Sequence, residues 1–421
     1  MRILTFTSLY PNAAQPTHGV FVENRLRQLV ASGTVHSRVV APVPWFPFGH
    51  SAFGRYGAFA WVPQYEERHG LALHHPRFVA IPKLGMAVSP GLMARGAWGS
   101  VLQLIESGYD FDIVDAHYFY PDGVAAALLA ERLGKPLVIT ARGSDINLFP
   151  QYRAARGRIL WAAERAAHIV TVSAALKRCM VELVVPQEKI TVIRNGVDLE
   201  LFTPQDRVAC RRALGLHGPS LLMVGALVPL KGHRLVIEAL ADLPAWSLMV
   251  VGDGPDRMAL ERRVERLGLG QRVRFLGIVA HEALPQLYSA ADLLVLASSR
   301  EGIANVLLEA MACGTPVVTT AAGECPEVVT SPDAGVVVPE RNPQVLREAI
   351  LDLWAKRPDR GRTRRCAERF DWAETARKQA AVLHAACPRR SSAFLGLHAT
   401  SPLAPGRCSD LLGEDGGLDD V

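Results

Sequence analysis

Short apolar runs alternate with longer amphipathic stretches along most of the chain. Runs of this kind suit strands that are buried on both faces, and the amphipathic stretches suit helices between them. The pattern predicts strands near residues 2–6, 37–41, 113–116, 137–140, 168–172, 190–193, 220–224, 247–251, 273–276, 293–297 and 317–320. It predicts helices near residues 20–31, 122–133, 152–165, 174–181, 233–241, 256–267, 282–288, 305–312 and 343–354. Strands that alternate with helices indicate an α/β protein with parallel sheets.

The chain is too long for one hydrophobic core. Its 421 residues favour two domains, and both halves show the same alternation. We expect two doubly wound, Rossmann-like domains at 1–198 and 199–386, joined by a linker near 195–204. After residue 386, Pro, Gly, Ser and acidic residues replace the periodic apolar pattern, so 387–421 is predicted to be a disordered tail.

Residues 42–110 interrupt the alternation and are rich in aromatic side chains. Eight of them fall within 45–65, namely Trp45, Phe46, Phe48, Phe53, Tyr56, Phe59, Trp61 and Tyr65. Rigid rings of this kind on irregular backbone can stack on sugars or contact lipid headgroups. An acceptor platform and a plain packed insertion are both consistent with this segment.

Composition and charge exclude several classes of protein. No apolar run is long enough to cross a bilayer, and the apolar stretch among the first residues is too short for a secretory signal. We therefore expect a cytoplasmic protein. Seven cysteines without a Cys-x-x-Cys pair argue against a zinc site. The net charge of +5 lies in residues 1–200, which carry 20 basic and 15 acidic side chains. This bias is too small for nucleic-acid binding, but it suits anionic acceptors or weak association with the inner membrane leaflet, unless it is random surface composition.

The most informative motif is the segment 299–320, in which Glu301 and Glu309 flank the start of an Ala-, Leu- and Met-rich helix. An apolar strand at 293–297 precedes it, so Glu301 is placed at a strand's carboxyl end, where open α/β sheets bind ligands. Eight helical positions would separate the two carboxylates by roughly 12 Å. That spacing suits two parts of one extended ligand.

This segment resembles the Glu, seven residues, Glu signature of the retaining glycosyltransferases of family 4, which have the two-domain GT-B fold with a cleft between the domains. The resemblance covers residues 1–386 and is strengthened by Glu-Ala-Met-Ala-Cys-Gly-Thr-Pro-Val-Val at 309–318. It implies that Glu301 contacts the donor sugar and that Glu309 contacts the nucleotide ribose. It also implies that the first domain faces the acceptor, that the second binds the nucleotide sugar, and that the last helix can pack back on the first domain.

No metal site is expected at the donor diphosphate. The Asp-x-Asp pair of Asp110 and Asp112 precedes its strand at the amino end, away from the ligand end. Phosphate charge must then be met by cations, backbone N–H groups and helix amino termini. The resemblance assigns this role to Lys231, to the Gly19 loop and to the residues that lead into the signature helix, which are Gly302, Ile303, Ala304 and Asn305.

Two positions depart from the family pattern. Many relatives have arginine where this chain has Ala226, and the usual Gly-Gly is His18-Gly19. A charge-assisted contact of the lost kind contributes on the order of 1.5–3 kcal/mol. Either another cation, such as Arg142 or Arg194, compensates, or the donor is held less tightly.

Further site residues follow strands of the first domain. His117 matches the family's active-site histidine, which contacts the donor sugar near the reacting centre. Arg142 and Asp145 belong to a strand-end Arg-Gly-Ser-Asp segment that resembles the family's cleft-lining segment, and Asn195 is expected to fix the linker.

Together with the resemblance, which alone implies retention of configuration, these features predict a metal-independent hexosyltransferase that uses a UDP- or GDP-linked sugar. The opening Arg-Ile-Leu-Thr-Phe-Thr-Ser-Leu-Tyr-Pro-Asn and Ala141-Arg-Gly-Ser-Asp-Ile look like enzymes of bacterial exopolysaccharide or teichuronic-acid-type assembly, with saccharide or lipid-linked saccharide acceptors. Two alternatives remain, a nucleotide-sugar epimerase on the same fold and a catalytically weak nucleotide-sugar-binding partner. Product analysis with and without acceptor discriminates between them.

Overall fold

The alternating pattern folds into two mainly parallel sheets flanked by helices, with a small separate sheet of two short strands at residues 43–44 and 77–78. The structure, a computed structural model, describes residues 1–16, 18–50, 55–80, 87–302 and 304–387. The strands of the first half are β1 (Arg2–Phe6), β2 (His36–Val40), β3 (Val43–Pro44), β4 (Tyr65–Arg68), β5 (Leu71–His74), β6 (Arg77–Phe78), β7 (Ile113–His117), β8 (Leu137–Ala141), β9 (His168–Thr171) and β10 (Ile190–Val192). Those of the second half are β11 (Ser220–Val224), β12 (Ser247–Val251), β13 (Val273–Gly277), β14 (Leu293–Leu296), β15 (Val317–Thr320) and β16 (Gly335–Val338).

Helices connect the strands on both faces. The first half contains α1 (Val20–Ala31), α2 (Arg55–Ala60), α3 (Ser89–Glu106), α4 (Val124–Leu133), α5 (Ser144–Asn147), α6 (Arg153–Arg165) and α7 (Ala174–Glu182). The second half contains α8 (Arg207–Ala213), α9 (His233–Ala241), α10 (Arg257–Arg266), α11 (Leu284–Ala290), α12 (Asn305–Ala312), α13 (Cys325–Val328), α14 (Pro343–Lys356), α15 (Arg360–Glu368) and α16 (Trp372–Ala386).

The first sheet has the strand order β10-β9-β8-β7-β1-β2-β5-β4, and the second has β13-β12-β11-β14-β15-β16. Every pairing in the two sheets is parallel except that of β4 with β5. A parallel sheet covered by helices on both faces needs strands that are apolar throughout, and β8 and β14 are buried at every position. The predicted α/β architecture of doubly wound sheets is therefore confirmed. We refer to the two halves as the first and second lobes.

The segment 42–110 is more regular than the sequence suggested. It adds β5 and β4 to the edge of the first sheet and contains the 18-residue helix α3. Trp45, Phe48, Trp61 and Tyr65 are each more than half exposed. Phe53 and the side chain of Tyr56 lie outside the described residues.

The last described helix, α16, belongs to the second half of the sequence but packs on the first lobe. Its Ala380 and Leu383 are buried in one apolar cluster with Val22 and Leu26 of α1. This contact packs the last described helix against α1.

The tail predicted after residue 386 lies outside the described residues from Pro388 onward, and the predicted domain boundary at 198 stays a prediction. None of the described helices combines the length and the apolar character that a bilayer crossing demands.

Candidate active site

Each sheet has a topological switch point, and one cavity lies where the two meet. In the first sheet the order reverses between β1 and β7, and in the second between β11 and β14. Loops diverge at such a point beyond the carboxyl ends of the strands and leave a crevice for ligands. A cavity of about 390 Å³ is lined by Leu9, Phe21, Tyr118, Arg142, Gly143, Ser144, Asn147, Leu148, Asn195, Leu230, Arg300, Glu301, Gly302 and Asn305. The loops after all four switch-point strands therefore contribute to the same cavity.

Two glycines bring the lobes into backbone contact at this cavity. A Cβ atom on Gly302 would lie 2.1 Å from the carbonyl oxygen of Arg142, and one on Gly143 would lie 3.1 Å from the Cα of Gly302. Gly143 also has φ 150, a conformation that residues with side chains rarely adopt. Only glycine at both positions allows this approach of the β8 and β14 loops.

Glu301 and Lys231 form an ion pair between the β14 and β11 loops. Lys231 Nζ lies 2.6 Å from Glu301 Oε1, which also accepts a hydrogen bond of 2.5 Å from Ser298 Oγ. Glu301 is 7% exposed and lines the cavity. The structure thus brings the predicted donor-sugar carboxylate and the predicted diphosphate ammonium together.

The carboxylate of Glu309 faces a second, smaller cavity. Tyr288 donates a hydrogen bond of 2.8 Å to Glu309 Oε2, and His281 Nε2 lies 3.5 Å from Oε1. This cavity of about 20 Å³ shares Phe21 and Asn305 with the larger one. Because α12 begins only at Asn305, half of the spacing between the two glutamates is not helical, and the assumption of eight helical positions was wrong.

His117 lies behind Arg142 and is 1% exposed. Arg142 Nη2 lies 2.7 Å from His117 Nδ1, and His117 Nε2 lies 3.4 Å from Asp115 Oδ2. Arginine can only donate, so Nδ1 accepts and the ring proton is on Nε2, facing the carboxylate. Burial lowers the pKa of His117, and the imidazole is neutral in this arrangement. Contact between His117 and a donor sugar stays a prediction.

Arg142 lines the cavity, and Asp145 fixes the loop that carries Arg142. The guanidinium of Arg142 lies 5.5 Å from the centre of the Phe21 ring, a cation–π distance. Asp145 is fully buried and accepts hydrogen bonds from the backbone N–H groups of Phe119, Arg142 and Gly143, which pins the β8 loop to the β7 loop. The structure therefore places Asp145 as a support for the cleft.

Arg194 is not among the residues that line this cavity. Its Nη2 lies 2.5 Å from Glu327 Oε2, and its Nε lies 3.4 Å from Glu324 Oε1. Glu327 also accepts from the backbone N–H groups at the start of α7. These contacts hold Arg194 away from the residues that line the main cavity, whereas Arg142 lines it. Which cation replaces the missing family arginine stays a prediction.

The remaining predicted donor residues surround the same region. Gly19 precedes α1 with φ 74, and a Cβ there would lie 2.4 Å from the backbone of Leu9, a cavity residue. Ala304 is buried before α12, and Asn305 accepts a hydrogen bond of 3.3 Å from Asn195. Ile303 lies outside the described residues.

Sequence reasoning gave no role to several polar residues of the cavity, among them Arg300 and Tyr118. Arg300 is exposed at the mouth, and the hydroxyl of Tyr118 lies 2.7 Å from that of Ser144. Tyr118 also has φ 81, which is uncommon for a residue with a side chain. Each is adjacent in sequence to a predicted site residue, Glu301 or His117, and that adjacency is the signal that could have found them.

The Asp-x-Asp pair lies at the opposite end of β7. Asp110 Oδ1 accepts a hydrogen bond of 2.6 Å from Lys135, and Asp112 Oδ2 accepts one of 2.9 Å from the backbone N–H of Arg2. Both carboxylates therefore have local partners at the amino end of the strand, whereas the cavity lies beyond the carboxyl ends.

The pair of His281 and Glu309 predicts a measurable titration. The hydrogen bond to Glu309 raises the pKa of His281 against the opposing effect of burial. Glu309→Gln should lower this pKa, as followed by NMR of the imidazole, and the control Glu282→Gln, at an exposed neighbour, should lower it less. Because the folded-state pKa is raised, the stabilisation from this pair is complete below the unfolded value and is lost as the pH rises through the folded value. An unchanged His281 titration in Glu309→Gln would contradict the placement of this pair.

Comparison with known proteins agrees with this geometry. Residues 212–377 match the family model of glycosyl transferases group 1, and residues 56–201 match that of glycosyltransferase family 4. The chain is 33% identical over 302 residues to a D-inositol 3-phosphate glycosyltransferase of Jonesia denitrificans, a match that covers 65% of this chain and 71% of the relative. It is 31% identical over 364 residues to TuaC of Bacillus subtilis, a glycosyltransferase named for teichuronic acid biosynthesis, over 83% of this chain and 88% of the relative.

A solved structure shares the fold. HepE of Anabaena, crystallised with UDP-glucose, superposes with a TM-score of 0.69 at 24% sequence identity, and the match covers 91% of this chain and 99% of that chain. The two sheets, the cavity at their switch points and the matched families lead to one assignment. This chain belongs to the group 1 glycosyltransferases of family 4 and has the GT-B fold.

Proposed function

We propose that this glycosyltransferase moves a hexose from a UDP-linked donor to a saccharide acceptor, with retention of anomeric configuration and without a bound metal ion. The observation that carries the proposal is the Lys231–Glu301 pair at the second switch point, which offers an ammonium to a diphosphate and a carboxylate to a sugar. The acceptor hydroxyl would attack on the face from which the diphosphate departs, and a leaving phosphate oxygen would take its proton.

Cationic side chains replace a metal ion in this proposal. Arg142 and Arg300 line the cavity, and the charge of Lys231 becomes available when a diphosphate competes with Glu301. The amino terminus of α12 adds partial positive charge next to Asn305. These groups supply the positive charge that Ala226 lacks relative to many members of the family.

Two comparisons support the choice of donor and acceptor. The HepE structure contains UDP-glucose, which favours a UDP-hexose over a GDP-linked donor. TuaC matches a larger share of this chain than the inositol 3-phosphate enzyme does, which favours an acceptor in cell-surface polysaccharide synthesis. Such acceptors include lipid-linked saccharides.

The exposed rings of Trp45, Phe48 and Trp61 support a weak peripheral contact with the inner membrane leaflet. Aromatic rings are favoured at the headgroup level of a bilayer, and the first half of the chain carries the excess of positive charge. None of the described aromatic residues of 45–65 lines the main cavity. These rings are therefore assigned to contacts at the surface of the first lobe and not to the reacting centre.

The function is tested with a panel of UDP-, GDP- and ADP-hexoses, each with oligosaccharide, lipid-linked saccharide and inositol 3-phosphate acceptors. We expect transfer from a UDP-hexose, detected by mass spectrometry, with the donor's anomeric configuration kept in the product and activity retained in EDTA. Loss of activity in EDTA with recovery on adding Mg²⁺ would refute metal independence. Epimerised sugar without acceptor would support the epimerase alternative, and binding of UDP-sugars without any turnover would support the binding partner.

The two signature glutamates should separate kinetically. Glu301→Ala should lower kcat by at least about a hundredfold while leaving UDP affinity equal or tighter, because Lys231 loses its partner. Glu309→Ala should weaken UDP binding more than it lowers kcat. Calorimetric titration with UDP and steady-state kinetics measure the two effects, and wild-type behaviour in both variants would contradict the assignment.

A further inference from the structure

Six polar side chains form a closed, buried ring next to the main cavity, and two of them also line it. Each member is at most 6% exposed, and the members are Arg25, Asp115, His117, Arg142, Asn195 and Gln379. They come from α1, β7, the β8 loop, the segment after β10 and α16. The ring therefore connects the last described helix to residues that line the cavity.

The ring is continuous through short contacts. Gln379 Nε2 donates to Asp115 Oδ2 at 3.0 Å, and the same oxygen lies 3.4 Å from His117 Nε2. Arg142 joins His117 Nδ1 at 2.7 Å to Asn195 Oδ1 at 3.4 Å. Two bonds of Arg25 close the ring, one of 3.2 Å to Asn195 Oδ1 and one to Gln379 Oε1.

Gln379 is the member whose chemistry is hardest to replace. Its amide oxygen accepts from the guanidinium of Arg25 while its amide nitrogen donates to the carboxylate of Asp115. The two partners fix which amide atom faces which way, since a guanidinium cannot accept and an ionised carboxylate cannot donate. A carboxylate or an apolar side chain at this position could not serve both partners.

The loss of Gln379 would reach the cavity through two routes. Asp115 Oδ2, which also faces His117, would lose the hydrogen bond from Gln379. The carboxylate would then interact more strongly with the imidazole. Among the described residues, Arg25 would keep the carbonyl oxygen of Ile193 and the side chain of Asn195 as partners, in a site with almost no solvent exposure. Asn195 also bonds Arg142 and Asn305, both of which line the cavity.

We propose that Gln379 is a positioning residue that holds His117 and Arg142 in the orientation needed for sugar transfer. This inference rests on the proposed function, because it assigns a catalytic consequence to the ring. Gln379 does not line the main cavity, and Lys231 and Glu309, to which the proposed function assigns nucleotide binding, are not members of the ring. Its loss should therefore lower turnover more than nucleotide affinity, which Arg142 of the ring shares in.

The test uses the full-length chain with Gln379→Met, which keeps the volume and removes both hydrogen bonds. We expect kcat to fall about ten- to hundredfold, because small displacements of reacting groups have effects of this size, and UDP affinity to fall clearly less than kcat. We also expect the ¹⁵N shifts of the His117 ring, measured without substrate, to move away from the wild-type tautomer. Gln379→Glu, which keeps the acceptor for Arg25 but places a second carboxylate beside Asp115, should not restore turnover.

Leu383→Ala is the matched control, because Leu383 is buried on the same helix but belongs to the apolar contact with the first lobe. It should lower the melting temperature while leaving kcat and the His117 shifts unchanged below the transition. Wild-type turnover in Gln379→Met, or wild-type His117 shifts in that variant, would overturn the proposal. If the wild-type protein transfers no sugar from any donor, the proposed function fails, whereas the NMR comparison still decides whether Gln379 positions His117.

Discussion

The site depends on the close approach of two strand-end loops, one from each lobe. At Gly143 and Gly302 the backbones meet with no room for a side chain, so the β8 and β14 loops can close over one cavity. Any residue with a Cβ at Gly302 would have to move the loop that carries Arg142 or the loop that carries Glu301. The chemistry assigned to the cleft therefore follows from a steric constraint that only glycine satisfies.

The charged side chains around this glycine contact are paired with one another or with buried polar groups. Glu301 and Lys231 neutralise each other at the cavity wall, while Arg142 is held from behind by His117 and Asn195. Arg194, in contrast, is engaged by carboxylates of the second lobe. Under the proposed function, a diphosphate in the cavity would meet cations whose positions are already fixed by buried partners, and preorganisation of this kind lowers the cost of binding.

Much of the architecture was predictable, because buried parallel strands are apolar throughout and helix starts follow the hydrophobic period. The strands β1, β11, β12 and β15 and the helices α1, α9 and α12 have the predicted bounds. The prediction from sequence was incomplete where contacts between distant parts of the chain determine the structure. The edge strand β4 and its neighbour β5 alternate too weakly to stand out, and the pairing of Arg194 with Glu324 and Glu327 joins residues more than a hundred positions apart. The ring through Gln379 likewise joins five separate segments, which no local pattern specifies.

The central claim is that protein cations, and not a metal ion, neutralise the donor diphosphate. Titration calorimetry of UDP in EDTA, on the wild type and on Lys231→Met, tests it most directly, with Lys356→Met as an exposed control on the same lobe. The account predicts that the wild type binds and that Lys231→Met binds about 1.5–3 kcal/mol more weakly, which is roughly ten- to hundredfold in Kd. Equal affinity in the two proteins, or no binding to the wild type until Mg²⁺ is added, would contradict it.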